Sequence, residues 1–156
     1  MDKPVAYLIT WTTYGTWLHG DARGSFDSDG NYIPQDERRR AAAQGAMVDT
    51  PVTLTPEQRG AMDKVIVDHC RIRSWVLHTR NVRTQHVHVV VSSPIDGENV
   101  REELKAWGSR RLSELAGIPP AARKDGARKW WTEKGNIEPI WNDRQLEAAI
   151  RYVNDQ

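Results

Sequence analysis

A single cysteine in 156 residues leaves this chain with neither a disulfide framework nor a cysteine-based zinc site, which fits a reducing compartment. Cys70 falls within an apolar helical pattern and reads as packing. No segment approaches 18 consecutive apolar residues, and the N-terminus lacks the form of a secretory signal. These absences lead to the expectation of a soluble cytoplasmic protein with no membrane partner. An excess of one charge sign is also missing, with 22 Lys and Arg against 21 Asp and Glu for a formal net charge of +1. A nucleic-acid enzyme is expected to be basic, so such a role must rest on local clusters. The clusters are Arg38-Arg39-Arg40, the set Arg71, Arg73, Arg80 and Arg83, the pair Arg110-Arg111, and Arg123-Lys124 with Arg128-Lys129. A charge run by itself is ordinarily a solvated face.

What is present suffices for one domain over residues 1–156: 38% hydrophobic residues and seven tryptophans can build a core at this length. Val5 to Thr13 mixes β-branched and aromatic residues as a strand does. A long excursion follows at about 14–54, rich in Gly, Asp, Ser and Arg, with a short helix expected at Gln35 to Gln44. Thr55-Pro56-Glu57-Gln58 signals a helix start, and Met62, Val65, Ile66 and Cys70 give that helix its apolar face. Strands are predicted at Ile72 to Thr79 and Gln85 to Ser92, antiparallel because their connection around Asn81 to Thr84 is short.

Asn99 with Glu102 predicts the start of a second helix, with Val100, Leu104, Trp107, Leu112 and Leu115 down one side and Gly117 with Pro119-Pro120 as its stop. Trp130-Trp131 and Ile137 to Trp141 predict a fourth strand. The final stretch, Asn142 to Gln156, has helical spacing of Leu146, Ala149, Ile150 and Val153 behind a capping signal of Asn142 with Gln145. The order is that of an α+β, ferredoxin-like or RRM-like fold: an antiparallel sheet with helices on one face, plus an extra C-terminal helix.

Candidate chemistry concentrates in two places. In His86-Val87-His88 the alternation of a strand puts both imidazoles on one face, which is half of a divalent-metal site. Alone, the pair reads equally as polar residues on a wet strand face. On the last helix Tyr152 and Gln156 are four residues apart and share a face beside the apolar stripe, so a tyrosine nucleophile and an amide oxygen ligand emerge together. Alone, each reads as packing and as a solvated terminal side chain.

The combination resembles the single-tyrosine HUH transposases, the superfamily of insertion-sequence 200 type transposases and REP-associated tyrosine transposases. The likeness lies in His86-Val87-His88, in its hairpin partner Ile72-Arg73-Ser74-Trp75-Val76-Leu77, in Ala149-Ile150-Arg151-Tyr152-Val153, and in the opening Tyr7 to Leu18 with Gly20-Asp21 and Arg23-Gly24. Ser25 to Arg59 and Ile118 to Arg128 match nothing in the family. The REP-associated branch tends toward asparagine and proline after the tyrosine, whereas Gln156 follows the insertion-sequence pattern.

The resemblance implies a metal-dependent endonuclease and strand transferase acting on single-stranded or hairpin DNA through a 5′-phosphotyrosine. Tyr152 would be the nucleophile, with His86, His88 and Gln156 holding Mg²⁺ or Mn²⁺ and the C-terminal helix carrying the tyrosine to the open face of the sheet. Arg71, Arg73, Arg80 and Arg83 lie around the hairpin that presents the histidines, where phosphates would lie, and Trp11, Tyr14, Trp17, Trp130 and Trp131 are candidates to stack on unpaired bases, with no more than two expected to touch DNA. His19, His78 and Asp21 are outsiders that could approach the site, with packing or turn roles as their ordinary reading. Monomer and homodimer both remain open. So does a catalytically inactive nucleic-acid-binding module on the same fold.

Overall fold

The computed structural model describes residues 3–15, 25–26, 32–33, 51–120 and 128–156. Its elements are β1 (Ala6–Thr12), β2 (Ser25–Phe26), β3 (Tyr32–Ile33), α1 (Pro56–Ile72), β4 (Val76–Val82), β5 (His86–Ser92), α2 (Gly97–Leu115), β6 (Asn136–Ile140) and α3 (Asp143–Asn154). Four strands form one antiparallel sheet in the order β4-β5-β1-β6. Each long helix thus connects two strands that are parallel to each other with an antiparallel strand between them, the split arrangement of ferredoxin-like folds. β2 and β3 pair through Ser25↔Ile33 and Phe26↔Tyr32, so the excursion contains a short ladder of its own. The helix expected at 35–44 lies outside the described residues.

Local signals place the elements. Thr55 caps α1 reciprocally with Gln58: the Gln58 amide donates to Thr55 Oγ1 at 3.2 Å and the Thr55 amide to Gln58 Oε1 at 2.9 Å. α1 runs through Ile72, where the sequence predicts strand, and Ile72 is 73% exposed. The break comes at Ser74, whose φ of 60° ends the helix and delays β4 to Val76. α2 starts earlier than expected, because Asp96 rather than Asn99 is its cap, accepting from the Asn99 amide at 2.9 Å. Gly117 at φ 73° closes it. Trp130 and Trp131 do not extend β6. Trp131 bridges Thr13 singly, and both indoles are buried against α2, donating to Ser113 Oγ and the Lys105 carbonyl.

The sheet has two unlike faces. Ile9 and Trp11 of β1 and Val87, Val89 and Val91 of β5 point to the face covered by α1 and α2, where they pack with Met62, Ile66, Leu104 and Leu112. Val52 and Leu54 close this core as the chain returns from the excursion. The opposite face carries a smaller cluster of Ala6, Leu8, Val90 and Ile140, covered by Val153 with Leu146, Ala149 and Ile150 of α3. Among the described residues no helix is long and apolar enough to cross a membrane.

Candidate active site

Strand alternation builds the site on the α3 face. β1 and β5 pair with Thr10↔His88 and Thr12↔His86, so these four side chains share the face that Leu8 and Val90 mark as the α3 side. On the other flank of β5, Asn81 lies opposite His88. β4 reaches this register only because it carries a bulge: Leu77 pairs with Val91 and Thr79 with Val90, which leaves His78 as an extra residue. The inserted residue turns Thr79 and Asn81 toward α3 and Arg80 toward α1.

The two imidazoles lie side by side, their ring centroids 6.2 Å apart and their planes within 22°. His88 is buried and its Nδ1 is 3.2 Å from Thr10 Oγ1. Burial, reinforced by the positive charges of His86 and Arg83, pushes the His88 pKa down to about 4, so the ring is neutral at pH 7. A neutral imidazole with one nitrogen on Thr10 has its other nitrogen available as a ligand, and a hydrogen bond of this kind fixes ring orientation at metal sites. A pair of imidazoles on one strand face suits a divalent ion. Among the described residues no group of three or more His, Cys, Asp or Glu forms a metal-binding cluster.

Tyr152 meets this pair within the same chain. Its ring centroid is 6.0 Å from that of His88, edge to face at 83°, and the side chain is half exposed. Asn142 caps α3 through the Gln145 amide at 2.9 Å, while Gln145 Oε1 accepts from the Trp141 amide rather than closing the box on Asn142 itself. Buried Val153 and its neighbours then fix which side of α3 looks down, leaving Tyr152 at the edge over His88. Gln156 follows α3 rather than lying within it, and its side-chain amide donates to the Tyr152 carbonyl at 3.1 Å.

The other sequence candidates separate. Trp11 is 1% exposed in the main core, edge to face with Trp131, and is no base-stacking platform. Its alternation with Ile9 puts it on the helix side of β1. Tyr14 is partly buried and packs on the same core, with Lys129 Nζ 6.0 Å from its ring. Trp17, His19 and Asp21 lie outside the described residues. Arg80 pairs with Asp63 of α1 at 2.9 Å, Arg73 pairs with Glu103 of α2 at 2.8 Å, and Arg71 pairs with Asp68 at 3.3 Å. These three engage helix carboxylates instead of standing beside the histidines. Arg83, in the β4–β5 turn, is the member of the set whose charge reaches His88. His78 bonds Ser92 Oγ at 2.8 Å, with its pKa lowered by burial. Sequence reading missed Thr10, Thr79 and Asn81. The first could have been found from the strand register, but the others depend on the bulge.

No family model and no curated protein matches the sequence. Solved structures do share the fold. A candidate transposase from Deinococcus radiodurans R1 superposes with a TM-score of 0.52 over 100% of this chain and 93% of that one, at 12% identity. A REP-associated tyrosine transposase bound to a REP hairpin superposes with a TM-score of 0.50, at 10% identity. That match covers 97% of this chain and 66% of the hairpin-bound protein.

Proposed function

We propose that the chain is a metal-dependent single-stranded DNA endonuclease and strand transferase of the single-tyrosine HUH transposase type, acting on hairpin-flanking DNA through a 5′-phosphotyrosine. The observation that carries this reading is the meeting of Tyr152 and His88 at a 6.0 Å ring separation on one sheet face of one chain. One phosphate can then touch both the nucleophile and the histidines, which a concerted displacement requires. The fold shared with transposases, one of them holding a REP hairpin, supports the same reading.

His86 and His88 would hold the divalent ion, Mg²⁺ or Mn²⁺, with the Gln156 amide oxygen as third protein donor. Bound there, the ion supplies charge stabilisation to a non-bridging oxygen of the scissile phosphate. Tyr152 attacks phosphorus: its phenol loses a proton to water, the oxygen bonds to the 5′-phosphate, and the P–O3′ bond breaks to leave a 3′-oxyanion that takes up a proton and becomes the 3′-hydroxyl. The free phenol has a pKa near ~10, so positive charge beside it is needed for attack at neutral pH. The covalent link retains the phosphoester bond, so a 3′-hydroxyl can later rejoin without an external energy source.

The competing reading is a catalytically inactive nucleic-acid-binding module on the same fold. A single experiment separates the two. Hairpin oligonucleotides from the gene flanks, labelled at either end, are incubated with the protein and Mn²⁺ or EDTA, beside Tyr152→Phe and His86→Ala. A metal-dependent covalent adduct on the 3′-side fragment, lost in both variants, establishes strand transfer. Hairpin retention without adduct establishes the binding module.

A further inference from the structure

The C-terminal end of α3 is held by side chains from β4, a strand with no part in the chemistry above. Thr79 Oγ1 donates to Asn154 Oδ1 at 2.6 Å. Asn81 Nδ2 donates to the Val153 carbonyl at 3.0 Å and to the Gln156 carbonyl at 3.3 Å. The last carbonyls of a helix have no partners within it, and a helix end without them frays. Here that end is the turn bearing Tyr152, one residue before Val153. The same Asn81 lies opposite His88 in the β4–β5 ladder. One side chain therefore ties the turn of the nucleophile to the strand of the histidines.

We infer that Thr79 and Asn81 are positioning residues that clamp the Tyr152 turn over the histidines of its own chain, making the site complete within one protomer. The inference rests on the proposed role of Tyr152. α3 is only 12 residues long and meets the sheet through a small apolar cluster, so apolar packing fixes its roll more than the height of its final turn. Three hydrogen bonds at the last turn supply that missing constraint. They also oppose exchange of α3 onto a neighbouring protomer, because an exchanged helix must leave Thr79 and Asn81 behind or find the same pair again.

The test uses the full chain in three measurements. Amide hydrogen exchange in free protein is compared for wild type, Asn81→Ala, Thr79→Val and Thr79→Ser. Residues 150–156 should exchange roughly tenfold faster in the first two variants, with α1 unchanged, and Thr79→Ser should match wild type because it keeps the hydroxyl. Unchanged exchange in Asn81→Ala overturns the clamp. In single turnover with a hairpin oligonucleotide and Mn²⁺, Asn81→Ala should slow adduct formation by about 10- to 100-fold while hairpin affinity stays within about twofold. An equal loss of affinity and rate overturns a positioning role.

Finally, Tyr152→Phe and His88→Ala chains are mixed. With both clamps intact the mixture should form no adduct, and an adduct would show that the tyrosine serves another protomer. If wild type forms no adduct at all, the proposed chemistry fails, while hydrogen exchange still decides whether the clamp exists.

Discussion

The face of the sheet beneath α1 and α2 and the face beneath α3 are made by alternate residues of the same strands, yet they are built on different terms. The first is continuous apolar packing, in which Ile9, Trp11, Val87, Val89 and Val91 are buried against two long helices. The second is divided. Toward one end Leu8, Val90, Ile140 and Val153 form a small apolar seat, and toward the other stand Thr10, His86, His88 and Asn81. Apolar packing is concentrated on the first face, and the candidate site lies on the second. A short helix on a small seat can present an exposed tyrosine beside a buried histidine, whereas the helix-covered face leaves no room for a substrate.

The largest test of this contrast is thermodynamic. Leu104→Ala, at a fully buried position of α2, should cost about 2–5 kcal/mol in chemical denaturation. Tyr152→Phe, at a half-exposed position, should leave the midpoint nearly unchanged. Equal losses would dissolve the contrast.

The next effect is on pH dependence. The folded-state pKa of His88 lies below its unfolded value of 6.5, so the unfolded chain binds the proton more readily in acid. The His88 contribution is fully present above pH 6.5 and is lost as pH falls through about 4, on the order of 3 kcal/mol in all. His88→Asn should flatten that part of a stability-against-pH curve. A slope that survives in the variant would assign it to other groups.

A smaller loss probes the seat of α3. Val153→Ala removes two buried methyl groups and should cost about 1.5 kcal/mol at ~0.8 kcal/mol each. Unlike Leu104→Ala, it should also slow adduct formation under conditions where the protein is fully folded. The smallest stability effects belong to the arginines. Arg80→Ala breaks an exposed pair with Asp63 and should cost less than about 1 kcal/mol, with hairpin affinity unaltered. Arg83→Ala should instead reduce the salt dependence of hairpin binding by about one unit of slope. If Arg80→Ala alters that slope, the helix side also meets DNA.

Much of this arrangement is legible in the sequence. The capping pattern of Thr55 with Gln58, the alternation around His86 and His88, and the helical spacing of Leu146 to Val153 each depend on neighbours along the chain, and each appears where expected. The features that differ from the sequence expectation depend on long-range contacts. Trp107 continues the apolar side of α2 in sequence, but in the fold it is half exposed beneath Arg110, whose guanidinium lies 4.5 Å from its ring centre. Trp11 has the composition of a stacking residue, and only its parity with Ile9 relative to α1 and α2 shows it to be core. The arginines around the hairpin stand beside the histidines in sequence. Arg80 faces α1 because the strand gains a residue at His78.

That extra residue divides β4 into two runs. Val76 and Leu77 keep step with Ser92 and Val91, Thr79 to Val82 keep step with Val90 to Val87, and His78 alone falls between them. Deleting His78 would remove its contact with Ser92 yet leave Arg80 opposite Val89 and Asn81 opposite His88, a regular strand that delivers the same side chains. β4 is two strands joined by a one-residue splice, and the splice can be cut without putting either half out of step.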